Sequence, residues 1–311
     1  MARIVVTGGA GFLGSHLVDA LVERGDDVRA FDNLSTGKRE KVHPDAELVE
    51  LDVVDAAQVR SALEAHRPEI VFHLAAQADP KRAFLDPAFD ARVNVVGSIN
   101  VALMAVQCGA RKVVFTSTGG AMYGSPDPSA LPVDETFAIA PSSPYGMSKY
   151  CAELYLGMIA DQHGLEYSIL RPANVYGPRQ EPVSEVGVVL IFLDQMQAGE
   201  APTMRGFGRA TRDYVFVKDV VRAHILAADR GGPRPYHIGS GEEVDVETIF
   251  DGLQHRLETA FVPERVPLVP GEVERMALDS SLAAAELGWR PEYSLDMGLD
   301  ETVDHVRSGR R

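Results

Sequence analysis

The sequence predicts an α/β protein built on a doubly wound parallel sheet, and three observations carry that prediction. Short β-branched runs alternate with stretches of helical periodicity through the first 172 residues. A glycine-rich turn joins the first strand to the first helix, and polar or small residues collect where successive strands end. Strands that are buried on both faces and linked by helices pair in parallel.

Arg3-Ile4-Val5-Val6-Thr7 is the first strand; Gly8-Gly9-Ala10-Gly11-Phe12-Leu13-Gly14-Ser15 breaks it before Leu13, Leu17, Ala20 and Leu21 recur at helical spacing. A helix entered this way points backbone N–H groups and the positive end of its dipole at the turn, which suits a pyrophosphate. Gly8, Gly11 and Gly14 then make the tight turn, let a phosphate approach the backbone, and let helix and strand pack closely. The spacing is G-x-x-G-x-x-G rather than G-x-G-x-x-G, and alone such a turn serves many α/β proteins.

Gly25 stops the first helix, and Val28–Phe31 makes a second strand ending at Asp32. An acid about 20 positions beyond the glycine turn meets the hydroxyls of an adenosine ribose. A carboxylate there repels a 2′-phosphate, so Asp32 favours NAD over NADP; Lys38 and Arg39 nearby would soften that preference. Glu47–Leu51 and Ile70–Leu74 are the third and fourth strands, ended by Asp52-Val53 and by Ala75-Ala76-Gln77. Ligands of parallel sheets gather at the carboxyl ends of strands, which places Asp52, Ala75 and Ala76 beside the cofactor. His73, inside an apolar strand, reads as a hydrogen-bonded core histidine.

Lys112–Thr116 is the fifth strand, followed by Ser117-Thr118-Gly119-Gly120-Ala121-Met122-Tyr123-Gly124. A Pro- and Ser-rich loop leads to Ser143, an N-cap, and Pro144, at the first helical position, so Tyr145 opens a helix. Tyr145 and Lys149, four apart, share one helix face. A tyrosine with a pKa near 10 is a poor base at neutral pH, and a neighbouring ammonium favours its phenolate. Tyr167–Arg171 is the sixth strand; beyond it the alternation loosens. Arg212–Val217 reads as a strand followed by a helix over Lys218–Arg230, and Tyr236–Gly239 as another strand. Without an obvious linker, a second lobe must be interleaved: residues 1–172 plus about 213–238 form one domain, and about 173–212 plus 239–311 the other.

A net charge of −15 and a pI near 5.0 argue against a general nucleic-acid or anionic-membrane partner. Cys108 and Cys151 cannot make a disulfide framework and show no metal spacing, so they read as packing thiols and no metal is expected. No leader pattern precedes the first strand, and no apolar run approaches the roughly 20 residues of a membrane span, so a cytoplasmic protein is expected.

Taken together, Thr7–Gly14, Asp32-Asn33-Leu34, Leu74-Ala75-Ala76, Asn94, Tyr145-Gly-x-Ser-Lys149, Asn174-Val-Tyr-Gly-Pro178, Arg212-Asp213-Tyr214 and Leu287-Gly-Trp-Arg-Pro291 resemble the extended short-chain dehydrogenase/reductase family. The resemblance is to its nucleotide-sugar epimerase/dehydratase branch, most of all the UDP-glucose 4-epimerase group, and covers nearly the whole chain. It implies a Rossmann-type domain holding NAD against Gly8, Gly11, Phe12, Leu13, Gly14, Asp32, Asn33, Asp52, Val53, Leu74, Ala75, Ala76 and Lys149. It implies that Tyr145 takes a proton from a sugar hydroxyl while Lys149 bonds the nicotinamide ribose, and that a nucleotide-diphosphate sugar meets Asn174, Val189 and Arg212. It also implies a homodimer, formed through the helix before Gly109 and the helix starting at Tyr145.

The chain departs from the family at four places. The usual catalytic Ser or Thr four before Tyr123 is Gly119, so Thr118 or Ser117 must supply the hydroxyl. The dehydratases and decarboxylases carry an acid where this chain has Gly120 and Ala121, which argues against water elimination. Arg205 stands where an aromatic residue flanks the uracil, and Val269, ahead of Pro270-Gly271-Glu272, where an Arg grips the diphosphate. Arg275 is then either a replacement phosphate ligand or a surface arginine. The expectation is NAD-dependent 4-epimerisation of a UDP-hexose or hexuronate, with another oxidoreductase or dehydratase of the same fold as the alternative.

Overall fold

The computed structural model describes residues 1–181, 187–268 and 273–309. The first half alternates as expected: β1 (Arg3–Thr7), α1 (Phe12–Glu23), β2 (Asp27–Asp32), β3 (Glu47–Glu50), α2 (Ala56–His66) and β4 (Ile70–His73). Next come α3 (Pro80–Leu85), α4 (Pro87–Ala91), a π-helical turn (Arg92–Val96), α5 (Gly97–Gln107), β5 (Lys112–Thr116), α6 (Pro144–His163) and β6 (Glu166–Pro172). Among the described residues, seven strands lie in one parallel sheet, whose last member comes from much later in the chain, at Pro235–Ile238. Its order is that late strand, β6, β5, β4, β1, β2, β3, so the winding reverses at the interior strand β1.

The later elements are β7 (Asn174–Tyr176), α7 (Val188–Gln197), β8 (Thr203–Arg205), β9 (Thr211–Arg212), β10 (Tyr214–Phe216), α8 (Val217–Arg230) and β11 (Pro235–Ile238). They end with β12 (Val244–Asp245), α9 (Val246–Leu257), β13 (Glu264–Val266), α10 (Ser281–Glu286) and α11 (Leu295–Arg307). The stretch read as one strand over Arg212–Val217 is two, broken at Asp213. The buried Asp213 carboxylate accepts the N–H groups of Ser240 (2.7 Å), Gly241 (3.0 Å) and Leu278 (3.2 Å), which takes this residue out of a regular ladder.

Two apolar layers cover the sheet. One joins Leu17, Leu21, Val220 and Ala227 of α1 and α8; the other joins Val59, Leu63, Val101, Ala105, Leu156 and Ile159 of α2, α5 and α6. A third cluster, away from the sheet, packs Phe192 and Leu193 of α7 on Phe250 and Leu253 of α9 and Leu299 of α11. The only tryptophan, Trp289, is fully buried; its indole N–H donates to the Asp219 carbonyl at 2.9 Å. The Asp219 carboxylate accepts from the N–H groups of Glu292 (2.9 Å) and Tyr293 (3.0 Å), so α8 anchors the segment before α11.

The expectation that no apolar run approaches the length of a membrane span does not hold. The helical run Pro87–Gln107 is 21 residues long with a mean hydropathy of 1.3, enough by length and composition to cross a bilayer. Its apolar character is accounted for by packing: 44% of the window is buried, and α5 lies against α2 and α6. Cys108 and Cys151 are half-buried free thiols.

Candidate active site

The carboxyl ends of β1, β2, β4, β5 and β6 open into one cavity of about 750 Å³. That is at the upper end of the range of small-molecule sites, about 300–1,000 Å³. One end is the glycine turn. Gly8 has a φ of +71°, and a Cβ on it would lie 2.8 Å from the Ala75 backbone nitrogen; a Cβ on Gly14 would strike the Gly8 carbonyl. The turn therefore admits only glycine at both places. Gly11 precedes α1 without a side-chain cap, so the first-turn N–H groups are left for a ligand at the cavity wall. The same cavity is lined by Phe12, Leu13, Asn33, Val53, Leu74, Ala75 and Ala76.

Asp32 accepts the N–H of Ala10 (3.0 Å) and of Leu34 (2.8 Å), and burial raises its carboxyl above the ordinary range. Each of its oxygens has lone-pair capacity left for a ribose hydroxyl. The two cations read as softening the choice of NAD are both engaged elsewhere. Lys38 pairs with Glu181 at 2.8 Å and Arg39 with Glu50 at 3.0 Å, while Glu181 also takes the buried Lys41 at 2.6 Å. Asp52 accepts from the Asn33 amide (3.2 Å) and the Val54 N–H (2.9 Å). His73 is a core histidine: its ring nitrogens meet Thr7 Oγ1 at 2.7 Å and Ser98 Oγ at 2.9 Å, and burial pulls it down to about 3.

The other end carries the tyrosine and the lysine of α6. The Ser143 side chain accepts the Gly146 N–H at 3.1 Å and Pro144 opens α6, which brings Tyr145 and Lys149 onto the cavity wall. Lys149 is 2% exposed, its ammonium 4.4 Å from the centre of the Phe115 ring. Burial pulls it down to about 8, opposed by the Glu153 and Asp90 carboxylates, so it is cationic below that pH. Ser117 and Thr118 both line the cavity. Thr118 Oγ1 accepts the Ala121 N–H at 3.3 Å, whereas Ser117 Oγ is buried without a hydrogen-bond partner. Gly119 leaves no room for a hydroxyl: a Cβ there would run into Leu278 and lie 3.0 Å from the Arg171 carbonyl. Asn174 lines the cavity, and a Cβ on Gly120 would lie 3.2 Å from its Oδ1.

Four expected sugar-nucleotide residues do not line this cavity. Val189 is buried in the α7–α9 cluster, and Arg205 is exposed on β8. Arg212 donates to the carbonyls of Thr211 (2.7 Å), Glu274 (3.2 Å) and Val273. Arg275 is held by Glu243, Nε at 2.8 Å. Val269, with Pro270, Gly271 and Glu272, lies outside the described residues. Gln77, Asp79, Arg82, Phe89 and Arg92 also line the cavity, beyond the residues expected there. Gln77 directly follows Ala75-Ala76 and could have been found by its place at a strand end. The others arrive on short helices with no motif of their own.

A glycine turn at a strand end and a Tyr–Lys pair on one cavity define a class. Residues 4–239 match the NAD dependent epimerase/dehydratase family, and the chain belongs to it. Within that family it is similar to the UDP-glucose 4-epimerase of Mycolicibacterium smegmatis, 42% identical over 98% of this chain and 99% of that one. It is also similar to the crystal structure of the Thermotoga maritima UDP-glucose 4-epimerase with UDP-glucose, at a TM-score of 0.96 with 43% identity and 99% of each chain covered. The Thermus thermophilus UDP-glucose 4-epimerase complex with NAD matches at a TM-score of 0.93, with 40% identity over 98% of this chain and 99% of that one.

Proposed function

We propose that this protein is an NAD-dependent 4-epimerase of a nucleotide-diphosphate hexose, with UDP-glucose and UDP-galactose as its substrate pair. The observation that carries the reading is the convergence of the glycine turn, Asp32, Thr118, Tyr145, Lys149 and Asn174 on one cavity. NAD fits that wall: the Gly8 and Gly14 positions have no space for side chains, the α1 amides are uncapped, and Asp32 has acceptor capacity to spare. When bound, NAD supplies a hydride acceptor that returns the hydride within the same turnover.

The chain's own residues handle the proton and the orientation. Tyr145 takes the proton of the sugar 4-hydroxyl and gives it back after the sugar has turned over. The Lys149 ammonium lowers the cost of the phenolate and, with NAD bound, would hold the nicotinamide ribose. The Thr118 hydroxyl, less enclosed than that of Ser117, orients the reacting oxygen. The lobe of residues 173–212 and 239–311 supplies the nucleotide-sugar half, with Asn174 at the boundary. No carboxylate stands at positions 120–121 to eliminate water, which supports epimerisation over dehydration.

Met147, Leu154, Tyr155 and Met158 of α6 and Val96 beside α5 are exposed on neighbouring helices, which supports a homodimer. The test is direct: the purified protein, without added cofactor, is incubated with UDP-glucose or UDP-galactose, and its bound nucleotide is identified by mass spectrometry after denaturation. The expected result is the 4-epimer and released NAD. A stable keto sugar, or no interconversion of any UDP-hexose or UDP-hexuronate, would overturn the reading.

A further inference from the structure

We propose that residues 178–181 are a strap that closes the cavity over bound NAD, with Glu181 as the positioning residue that latches it. This needs NAD in the cavity but no particular sugar. The strap follows β7 and carries Gln180 onto the cavity wall, which it shares with Gly11, Phe12 and Leu13 at the start of α1 and with Ser35 and Thr36 after β2. The residues on either side of Gln180 are tied to those same two regions. On α1, the ring of His16 meets the Pro178 carbonyl at 2.9 Å, and the Asp19 carboxylate takes the Arg179 guanidinium at 2.7 Å. A carbonyl only accepts, so His16 is the donor. Between β2 and β3, Lys41 donates to the Arg179 carbonyl at 2.8 Å and to Glu181 at 2.6 Å, and Lys38 pairs with Glu181 at 2.8 Å.

The latch is not an ordinary surface ion pair. The Lys41 side chain is 3% exposed, and a buried ammonium is costly unless acceptors answer it. Both acceptors of Lys41 belong to the strap. Arg179 also has a φ of +67°, a left-handed conformation that a residue other than glycine keeps only when its surroundings hold it. Here its carbonyl is held by Lys41 and its guanidinium by Asp19. A dinucleotide whose diphosphate meets the α1 amides and whose ribose meets Asp32 runs between α1 and the β2–β3 connection, the two regions that the strap joins. Its exit requires the strap to lift. A cofactor that recovers its oxidised state within each turnover has no step that needs exit, so slow release costs such an enzyme nothing.

The experiment reads the exchange of bound NAD. Holoenzyme is mixed with excess isotope-labelled NAD, and the label retained by the protein is followed over time by mass spectrometry after denaturation. Glu181→Gln keeps the side chain's shape and removes its charge; its exchange should be about tenfold faster than that of the wild type, since losing one partner of an enclosed charge pair acts on the off-rate. Asp19→Asn releases the strap at its other end, through a more exposed pair, and should speed exchange about threefold. Glu50→Gln frees Arg39 on the same β2–β3 connection without touching the strap, and its exchange should stay within about twofold of the wild type. A wild-type rate in either strap variant, or Glu50→Gln exchanging as fast as Glu181→Gln, would overturn the proposal. Exchange is read on the cofactor and not on a product, so it decides the matter even if the assignment of the sugar fails.

Discussion

The cavity and the arginine-bearing segments of the later chain are built in different ways. The cavity is lined by backbone and by residues adjacent in the chain: the glycine turn that begins at Gly8, one acid at the end of β2, and a helix carrying Tyr145 and Lys149 one turn apart. Arg212 and Arg275, to which the family resemblance points, lie off that cavity and are tied to other partners, Arg212 to backbone carbonyls and Arg275 to Glu243. A site made by local backbone geometry is fixed by a short stretch of sequence. Contacts assembled from side chains of distant segments are fixed only once the chain has folded.

The comparison can be broken first at its strongest point. Tyr145→Phe should lower turnover by about 10³-fold or more, the upper part of the range for general acid–base groups, while bound NAD measured after denaturation stays near one per chain. Turnover that survives would remove Tyr145 as the base. Thr118→Ala should follow with a loss of about 10²-fold in kcat, and Ser117→Ala with much less, because the Ser117 hydroxyl is enclosed. The reverse order would assign the reacting hydroxyl to Ser117.

A smaller effect is expected at the adenosine ribose. Freeing Lys38 and Arg39 through Glu181→Gln and Glu50→Gln should improve NADP binding relative to NAD about fivefold, the size of a partly exposed ion pair. Equal discrimination in the double variant would leave Asp32 alone in control. The smallest change is expected at Arg275→Met, whose KM for the nucleotide sugar should stay within about twofold of the wild type, since Glu243 already holds this arginine. A tenfold rise would show that it leaves Glu243 to grip the diphosphate.

Much of the first half was legible in sequence because its signals are local. The glycine turn, Asp32 at a strand end, and the Ser143-Pro144 start of α6 each depend on residues within a few positions of one another, and the structure places the turn, Asp32 and the Tyr145 that follows Pro144 on the same cavity. The enclosure of position 119 was not legible, because the obstacle, Leu278, arrives from the far end of the chain. Asp213 broke an apparent strand for the same reason: the amides it holds belong to Ser240, Gly241 and Leu278. The apolar run Pro87–Gln107 hid in plain view, since Asp90 and Arg92 interrupt its composition without interrupting the helix.

Trp289 gives this molecule a built-in optical gauge. It is the sole indole in the chain, and it sits in the segment that α8 clamps through Asp219, well outside the residues lining the cofactor cavity. Its emission therefore reports the docking of the C-terminal segment, while loss of bound nucleotide reports the glycine turn. Heated together, the two signals would show directly whether the halves of the protein let go at one temperature or at two.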